Sequence, residues 1–390
     1  MTSARGTTGS DGALPILLDA TSLPPNRGGV ARYIVGLLSG LDRLGHSITV
    51  VTKERDVESL RSAAPSHRYV LAPKAVDARP ARLIWEQVGL PRLARRLGAR
   101  VVHSPHYTFP LLRRGASVVT VHDATFFTDP AVHSRLKRLF FTTWTRLALR
   151  RARAIVSPSR ATIEALREHV GRIRGSAVVA YLAIDADVFR PPAPEAGERF
   201  GAQNDLPLER GWIAFLGTIE PRKNVPALIR AHRTLTRTRA AEGRTTPVLA
   251  LSGARGWDAE AASLLDTRPE GVRELGYLPI DDLPAFLGSA ALVAYPSLGE
   301  GFGLPVLEAM ACGSAVLTTP RLSIPEVGGD AVVYSEPDEA SLTAALADML
   351  DDPAMTERLR SAAVLRAAEF TWEACAREHL RAYADAGVTP

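Results

Sequence analysis

Two glutamates eight positions apart, Glu300 and Glu308, stand in the stretch Tyr295-Pro-Ser-Leu-Gly-Glu-Gly-Phe-Gly-Leu-Pro-Val-Leu-Glu-Ala-Met-Ala-Cys-Gly313. Ionised carboxylates only accept hydrogen bonds, which suits them to the vicinal hydroxyls of sugars. Between them run Gly301, Phe302, Gly303 and Leu304, a segment whose glycines let backbone amides approach an anion closely. Pro305 suits a first helical turn, so those amides would lie at the positive end of a helix. Diol acceptors flanking an anion cradle describe a site for a sugar nucleotide. Glu308 is the more telling acid, because Val306, Leu307, Ala309, Met310 and Ala311 surround it and a carboxylate in so apolar a helix needs a partner. The plainer alternative is a solvated loop acid and an amphipathic-face acid.

A second set lies in Phe215-Leu-Gly-Thr-Ile-Glu-Pro-Arg222-Lys223-Asn224, again a strand, a glycine turn and a helix start. Arg222 offers a forked contact and Lys223 a point charge, together able to offset a diphosphate. The chain's lysines are only Lys53, Lys74, Lys137 and Lys223, which singles out the last. Gly28 and Gly29 form a turn after the first strand and permit close approach to phosphate, although such a turn is by itself ordinary structure. His103, His106 and His122 stand near strand ends. No second ligand pair accompanies His103 and His106, so no metal is expected, and His122, followed by Asp123, is the candidate for catalysis.

These residues need strands and helices to position them. Buried strand-like runs recur at 16–20, 48–52, 101–104, 118–121, 154–156 and 178–181, and again at 212–216, 248–251, 272–277, 291–295, 315–318 and 331–334. Alternation with helical segments predicts an α/β chain of two doubly wound parallel sheets. Proline and polar residues from Arg190 onward read as a linker, placing a boundary near residue 200: a tail over 1–13, a first domain over 14–200 and a second over 201–371. Ligands of such sheets bind beyond the carboxyl ends of the strands, so a cleft between the domains is expected.

The segment Glu-Gly-Phe-Gly-Leu-Pro-Val-Leu-Glu-Ala-Met-Ala-Cys-Gly resembles the signature of the retaining glycosyltransferases of family 4. The resemblance implies the GT-B fold, two Rossmann-like domains facing a cleft, with a final helix over 372–390 crossing back to the first. It assigns Glu300 to the donor sugar and Glu308 to the nucleotide ribose. Arg222 and Lys223 would hold the donor phosphates, and the 301–304 amides the leaving diphosphate. By the same resemblance Gly28 and Gly29 face the diphosphate, Tyr277 and Leu278 meet the base, and His122 lies near the sugar's reactive face. The implied reaction is transfer with retention from a nucleotide-diphosphate sugar to a glycan or lipid-linked acceptor, with no cofactor and no metal. The motifs look most like those of bacterial mannosyl- and rhamnosyltransferases of surface polysaccharides, so GDP-mannose is favoured, with UDP- and dTDP-sugars as alternatives. A phosphorylase or epimerase of the same fold and a non-catalytic sugar-nucleotide module are the competing readings.

Composition bounds the rest. With 46% hydrophobic residues the chain can build two cores, and two cysteines exclude a disulfide framework, so a cytoplasmic setting is expected. No acid occurs between Asp129 and Glu164, where Arg135, Lys137, Arg138, Arg146, Arg150 and Arg151 accompany Phe140, Phe141 and Trp144. A basic face with aromatic anchors suits an anionic membrane surface, a peripheral position at its inner face, or a lipid diphosphate. The alternative is an internal helix with solvated arginines. No nucleic-acid-binding motif accompanies the charge. The first helix region lacks Gly-x-Gly-x-x-Gly, which argues against a dehydrogenase.

Overall fold

The computed structural model describes residues 13–23, 28–130, 133–207 and 211–389. Nearly all of the expected tail over 1–13 lies outside the described residues. The first sheet is built from β1 (Ile16–Asp19), β2 (Thr49–Thr52), β3 (Arg68–Leu71), β4 (Val101–Ser104), β5 (Ala116–Thr120), β6 (Ala154–Ser157) and β7 (Ser176–Val179). The second contains β8 (Trp212–Leu216), β9 (Val248–Ser252), β10 (Val272–Gly276), β11 (Leu292–Tyr295), β12 (Val316–Thr318) and β13 (Val333–Tyr334). Strand orders are 3-2-1-4-5-6-7 and 10-9-8-11-12-13, with parallel pairing throughout. The aliphatic runs follow from this, because central strands such as β4, β8 and β11 are covered on both faces.

Each order reverses once, between β1 and β4 and between β8 and β11. Loops leaving such neighbouring strands diverge and open a crevice at the carboxyl edge. The segments after β1, β4, β8 and β11 hold Gly28 and Gly29, His106, Arg222 and Lys223, and Glu300. Topology therefore gathers residues that the chain scatters over 270 positions.

Two expectations are corrected. Sequence periodicity does not mark β3, whose Arg68-Tyr-Val-Leu is a partly exposed edge strand with no buried aliphatic run. The stretch read as linker forms a helix over Pro194–Gln203, with Pro194 in its first turn. Phe200 of this helix packs on Trp212 and Phe286, at ring distances of 5.8 and 5.7 Å, so it belongs to the second sheet's core. Proline at a helix start costs no hydrogen bond, which is why proline-rich composition misleads here.

The helix Trp372–Asp385 lies across Gly29–Arg43 of the first unit. Gly36 and Gly40 make room for it, since a Cβ at Gly36 would fall 2.1 Å from the Trp372 ring. Beneath the contact a hydrogen-bond chain has a single self-consistent direction. His379 Nδ1 lies 2.8 Å from the Cys375 carbonyl, which can only accept, so the proton sits on Nδ1. Neutral His379 then accepts from the Tyr33 hydroxyl at 2.7 Å, Tyr33 from Thr120, and Thr120 from His103 Nε2, while His103 Nδ1 accepts from Tyr383. Burial foremost lowers both imidazoles, His379 to about 4 and His103 well below its usual value, which keeps them neutral as the chain requires.

Candidate active site

Glu300 is the hub of the cleft. It follows β11 in a loop that ends at Gly303, whose φ of +103° is a conformation that favours glycine. Its Oε1 accepts from Lys223 Nζ at 2.6 Å, Ser297 Oγ at 2.7 Å and the Tyr295 hydroxyl at 2.9 Å. Its Oε2 accepts from Arg222 Nη1 at 2.6 Å. Arg222 reaches back to the Gly299 carbonyl at 2.6 Å and across to Glu220 at 2.8 Å. Lys223 also touches the Tyr295 hydroxyl. Ser323 ties the Glu300 carbonyl at 2.8 Å, fixing the loop from the following segment.

Burial alone would raise the Glu300 pKa, but Arg222 and then Lys223 outweigh it and bring it down to about 2. The group is a permanent acceptor over the physiological range. Burial opposes charge on Arg222 as well, and Glu300 and Glu220 more than offset it, so its pKa is raised. For Lys223, burial and the neighbouring Arg222 lower the pKa despite Glu300. Two features separated in the sequence, the basic pair and the loop acid, are thus one neutral cluster of two cations and two carboxylates. Such a cluster presents fixed, oriented donors rather than net charge.

The first sheet supplies the opposite wall. The His122 carbonyl would lie 1.9 Å from a Cβ on Gly301, so glycine there is what allows the two domains to meet. His122 Nε2 lies 2.7 Å from the Pro105 carbonyl and must donate to it. Its pKa is lowered, chiefly by burial, so the ring is neutral and Nδ1 is the bare nitrogen. His122 can therefore accept a hydrogen bond from a sugar hydroxyl. The Tyr33 ring stands edge-on to it at 5.0 Å. Gly29 faces Leu304, 3.6 Å from where its Cβ would be, which sets the Gly28–Gly29 turn over the start of the helix Leu304–Ala311. Helix geometry leaves the first amides of that helix without intrahelical partners.

Glu308 is 1% exposed and pairs with Arg32 of the first domain. Tyr277 is 76% exposed beyond β10, with Leu278 beside it half-buried. The Phe302 side chain turns away from the cleft onto Tyr181 and Phe370, so what it offers a ligand is its backbone amide. Sequence reasoning missed Tyr295, Ser297, Glu220, Ser323 and Arg32. A tyrosine ending an aliphatic strand was an available signal for the first. Arg32 had none, being one polar residue on an amphipathic helix.

His103 is absorbed in the buried chain described above. His106 is packed on Tyr107, His122 and Phe141, and burial with His122 beside it lowers its pKa to about 3. Among the described residues no group of three metal-ligating side chains converges.

Comparison with known proteins fits this geometry. Residues 27–188 match Glycosyltransferase Family 4 and residues 198–366 match Glycosyl transferases group 1. An O-antigen chain mannosyltransferase B of Escherichia coli is 29% identical over 377 residues, covering 91% of this chain and 95% of that protein. A serotype-specific mannosyltransferase WbdA of Escherichia coli is 34% identical over 218 residues, covering 50% of this chain and 26% of that one. Among solved structures, Anabaena HepE in complex with UDP-glucose superposes with a TM-score of 0.73 at 18% identity, over 95% of this chain and 99% of that one. The two facing sheets are the GT-B fold, and the chain belongs to glycosyltransferase family 4.

Proposed function

We propose that this glycosyltransferase moves a hexose from a nucleotide-diphosphate donor, GDP-mannose in the first place, to a glycan or lipid-linked acceptor with retention of configuration. The observation that carries the reading is the Arg222–Glu300–Lys223 cluster at the second sheet's switch point, facing His122. The likeness to mannosyltransferases of O-antigen synthesis supports the sugar and the acceptor class, and the superposition on a UDP-glucose complex is consistent with a nucleotide-sugar ligand.

In this mechanism the protein positions and polarises. Glu300 receives donor-sugar hydroxyls, His122 Nδ1 accepts another, and Glu308 takes the ribose diol. Arg222, Lys223 and the 301–304 amides stabilise the departing diphosphate, and a donor phosphate oxygen receives the acceptor proton on the same face. The oriented donors of Arg222, Lys223 and the loop amides take the place of a divalent metal at the diphosphate, so turnover without added metal is part of the proposal. The test is turnover of GDP-mannose against UDP-glucose and dTDP-rhamnose with chelator present, with the anomeric configuration of the product read by NMR. Inversion, or activity only with added metal, would refute the respective element.

The acceptor side has a second feature. Arg135, Arg138 and Arg146 line a surface cavity of about 410 Å³ with Phe126, Phe127 and Leu139. The aromatic residues read from sequence as membrane anchors turn inward instead, Phe141 stacking on Phe126 and Trp144 meeting Phe109. Leu136 and Leu139 are the exposed apolar residues, at 78% and 65%. Lys137 of the same helix lies over the Trp257 ring of the second domain at 4.9 Å, which puts the basic face at the cleft mouth. That placement suits a lipid-linked acceptor at an anionic surface. Among the described residues no helix is long and apolar enough to cross a membrane, and flotation with anionic vesicles at low and high salt tests peripheral binding.

A further inference from the structure

Arg32 has no part in the mechanism so far, and its surroundings supply one. It lies one turn into the helix Gly29–Arg43, its amide bonded to the Gly28 carbonyl at 3.1 Å. Its side chain leaves the first domain, passes over the Phe189 ring at 5.6 Å and pairs with Glu308 of the second. Among the described residues this is the one ion pair that Glu308 makes, and the Glu308 side chain is 1% exposed. A cation of the first domain and a buried acid of the second therefore meet beside Gly28 and Gly29.

A buried carboxylate paired with a cation loses its compensation when that cation is removed without replacement, which is unfavourable. A ribose diol arriving at Glu308 competes with Arg32 for the same oxygen lone pairs. The displaced guanidinium in turn needs an anion, and its forked geometry matches phosphate as well as carboxylate. The diphosphate expected at the Gly28–Gly29 turn lies one helical turn from the Arg32 backbone.

We infer that Arg32 is a further donor-binding residue, which neutralises Glu308 while the nucleotide is absent and exchanges it for the donor diphosphate when the ribose occupies Glu308. This inference rests on the nucleotide-sugar reading of the cleft. The exchange makes binding of ribose and diphosphate mutually dependent. A nucleoside without phosphate displaces Arg32 and leaves it no anion, whereas a nucleoside diphosphate supplies one.

The test is calorimetric titration of UDP, GDP, dTDP, uridine, guanosine and thymidine into wild type, Arg32→Gln and Arg32→Lys. Arg32→Gln is expected to weaken the diphosphate that wild type binds by about tenfold or more, the loss of a charge-assisted contact. The matching nucleoside should bind the variant as well as wild type or better. Equal weakening of both, or no change in either, would overturn the inference. Should Arg32→Gln fail to fold, with Glu308 left uncompensated, Arg32→Lys decides by the same ratio. A reduced preference for diphosphate over nucleoside supports the exchange, and an unchanged preference overturns it. Failure of wild type to bind any of the six probes is a distinct result: it removes the nucleotide-sugar reading, and the role of Arg32 with it.

Discussion

The Glu326 carboxylate accepts the backbone amide of Arg160 at 2.8 Å, so a side chain of the second domain caps a helix of the first. Its other oxygen takes the Ala161 amide at 2.7 Å, and the Tyr181 hydroxyl adds a third bond at 2.9 Å. Helix starts leave such amides unsatisfied, and an acid there gains from the helix dipole as well. Three residues earlier, Ser323 holds the Glu300 carbonyl. The segment 323–326 therefore joins the Glu300 loop to the first domain.

Replacing Glu326 by Ala should loosen this closure without touching substrate. Loss of a helix-capping acid costs about 1 kcal/mol, and we expect a several-fold rise in KM with a smaller effect on kcat. Small-angle scattering should show a more open average. An unchanged scattering profile together with unchanged KM would mean that the cap contributes only to stability.

Glu300→Gln should abolish most activity. The variant leaves Arg222 paired with Glu220 and removes the carboxylate of the Lys223 ion pair, and breaking a buried pair from one side costs about 3–5 kcal/mol. A fall in Tm together with at least about a hundredfold loss of turnover is expected, in line with removal of one transition-state contact. The wild-type acid response has a definite sign. Because the folded pKa is depressed to about 2 from the ordinary 4.5, the stabilisation is complete above pH 4.5 and is lost as pH falls toward 2. Tm measured from pH 6 to pH 2 should drop in that window in wild type and less steeply in Glu300→Gln. Parallel curves would refute the assignment.

Gly40→Ala tests the seat of the C-terminal helix. A Cβ there would lie 2.2 Å from the Trp372 carbonyl oxygen, and backbone cannot swing aside as a side chain can. Overpacking of this kind costs about 1–3 kcal/mol. Hydrogen exchange over 372–385 should accelerate more than exchange in the second sheet. Uniform acceleration throughout would show that the helix is not a separable contact.

How much of this was legible in the residues themselves follows from where each signal resides. The donor loop was readable, because Gly301, Gly303, Pro305 and two glutamates are local requirements of a strand–loop–helix turn. That Glu300 grips Arg222 and Lys223 was not, since it depends on β8 and β11 being neighbours in the sheet, a fact of strand order with no local trace. Edge strand β3 escaped because exposure removes the aliphatic run that marks its neighbours. The helix Pro194–Gln203 escaped because its prolines precede or begin it, and the contact of Phe200 with Trp212 is tertiary.

Glu86 is a buried acid on the first domain's side of the cleft, and its charge state should be visible in the stability curve. It is 1% exposed and accepts from Thr108 Oγ1 at 2.6 Å, Arg82 at 3.1 Å and Gln87 at 3.1 Å. Burial raises its pKa to about 7, and Asp19 nearby assists, while Arg82 opposes without prevailing. With the folded pKa raised above the ordinary 4.5, folding favours the protonated form more than the unfolded chain does. The stability it contributes is therefore fully present below pH 4.5 and is lost as pH rises through 7. The span corresponds to a change of about 3 kcal/mol. Glu86→Gln, which cannot ionise, should remove that loss: its Tm relative to wild type should climb between pH 5 and pH 8, whatever its absolute value. Because Thr108 follows β4 at the cleft edge, the same ionisation should alter acceptor KM over this range in wild type and not in the variant. A Tm difference constant with pH would show that Glu86 is already ionised, with Arg82 the dominant neighbour.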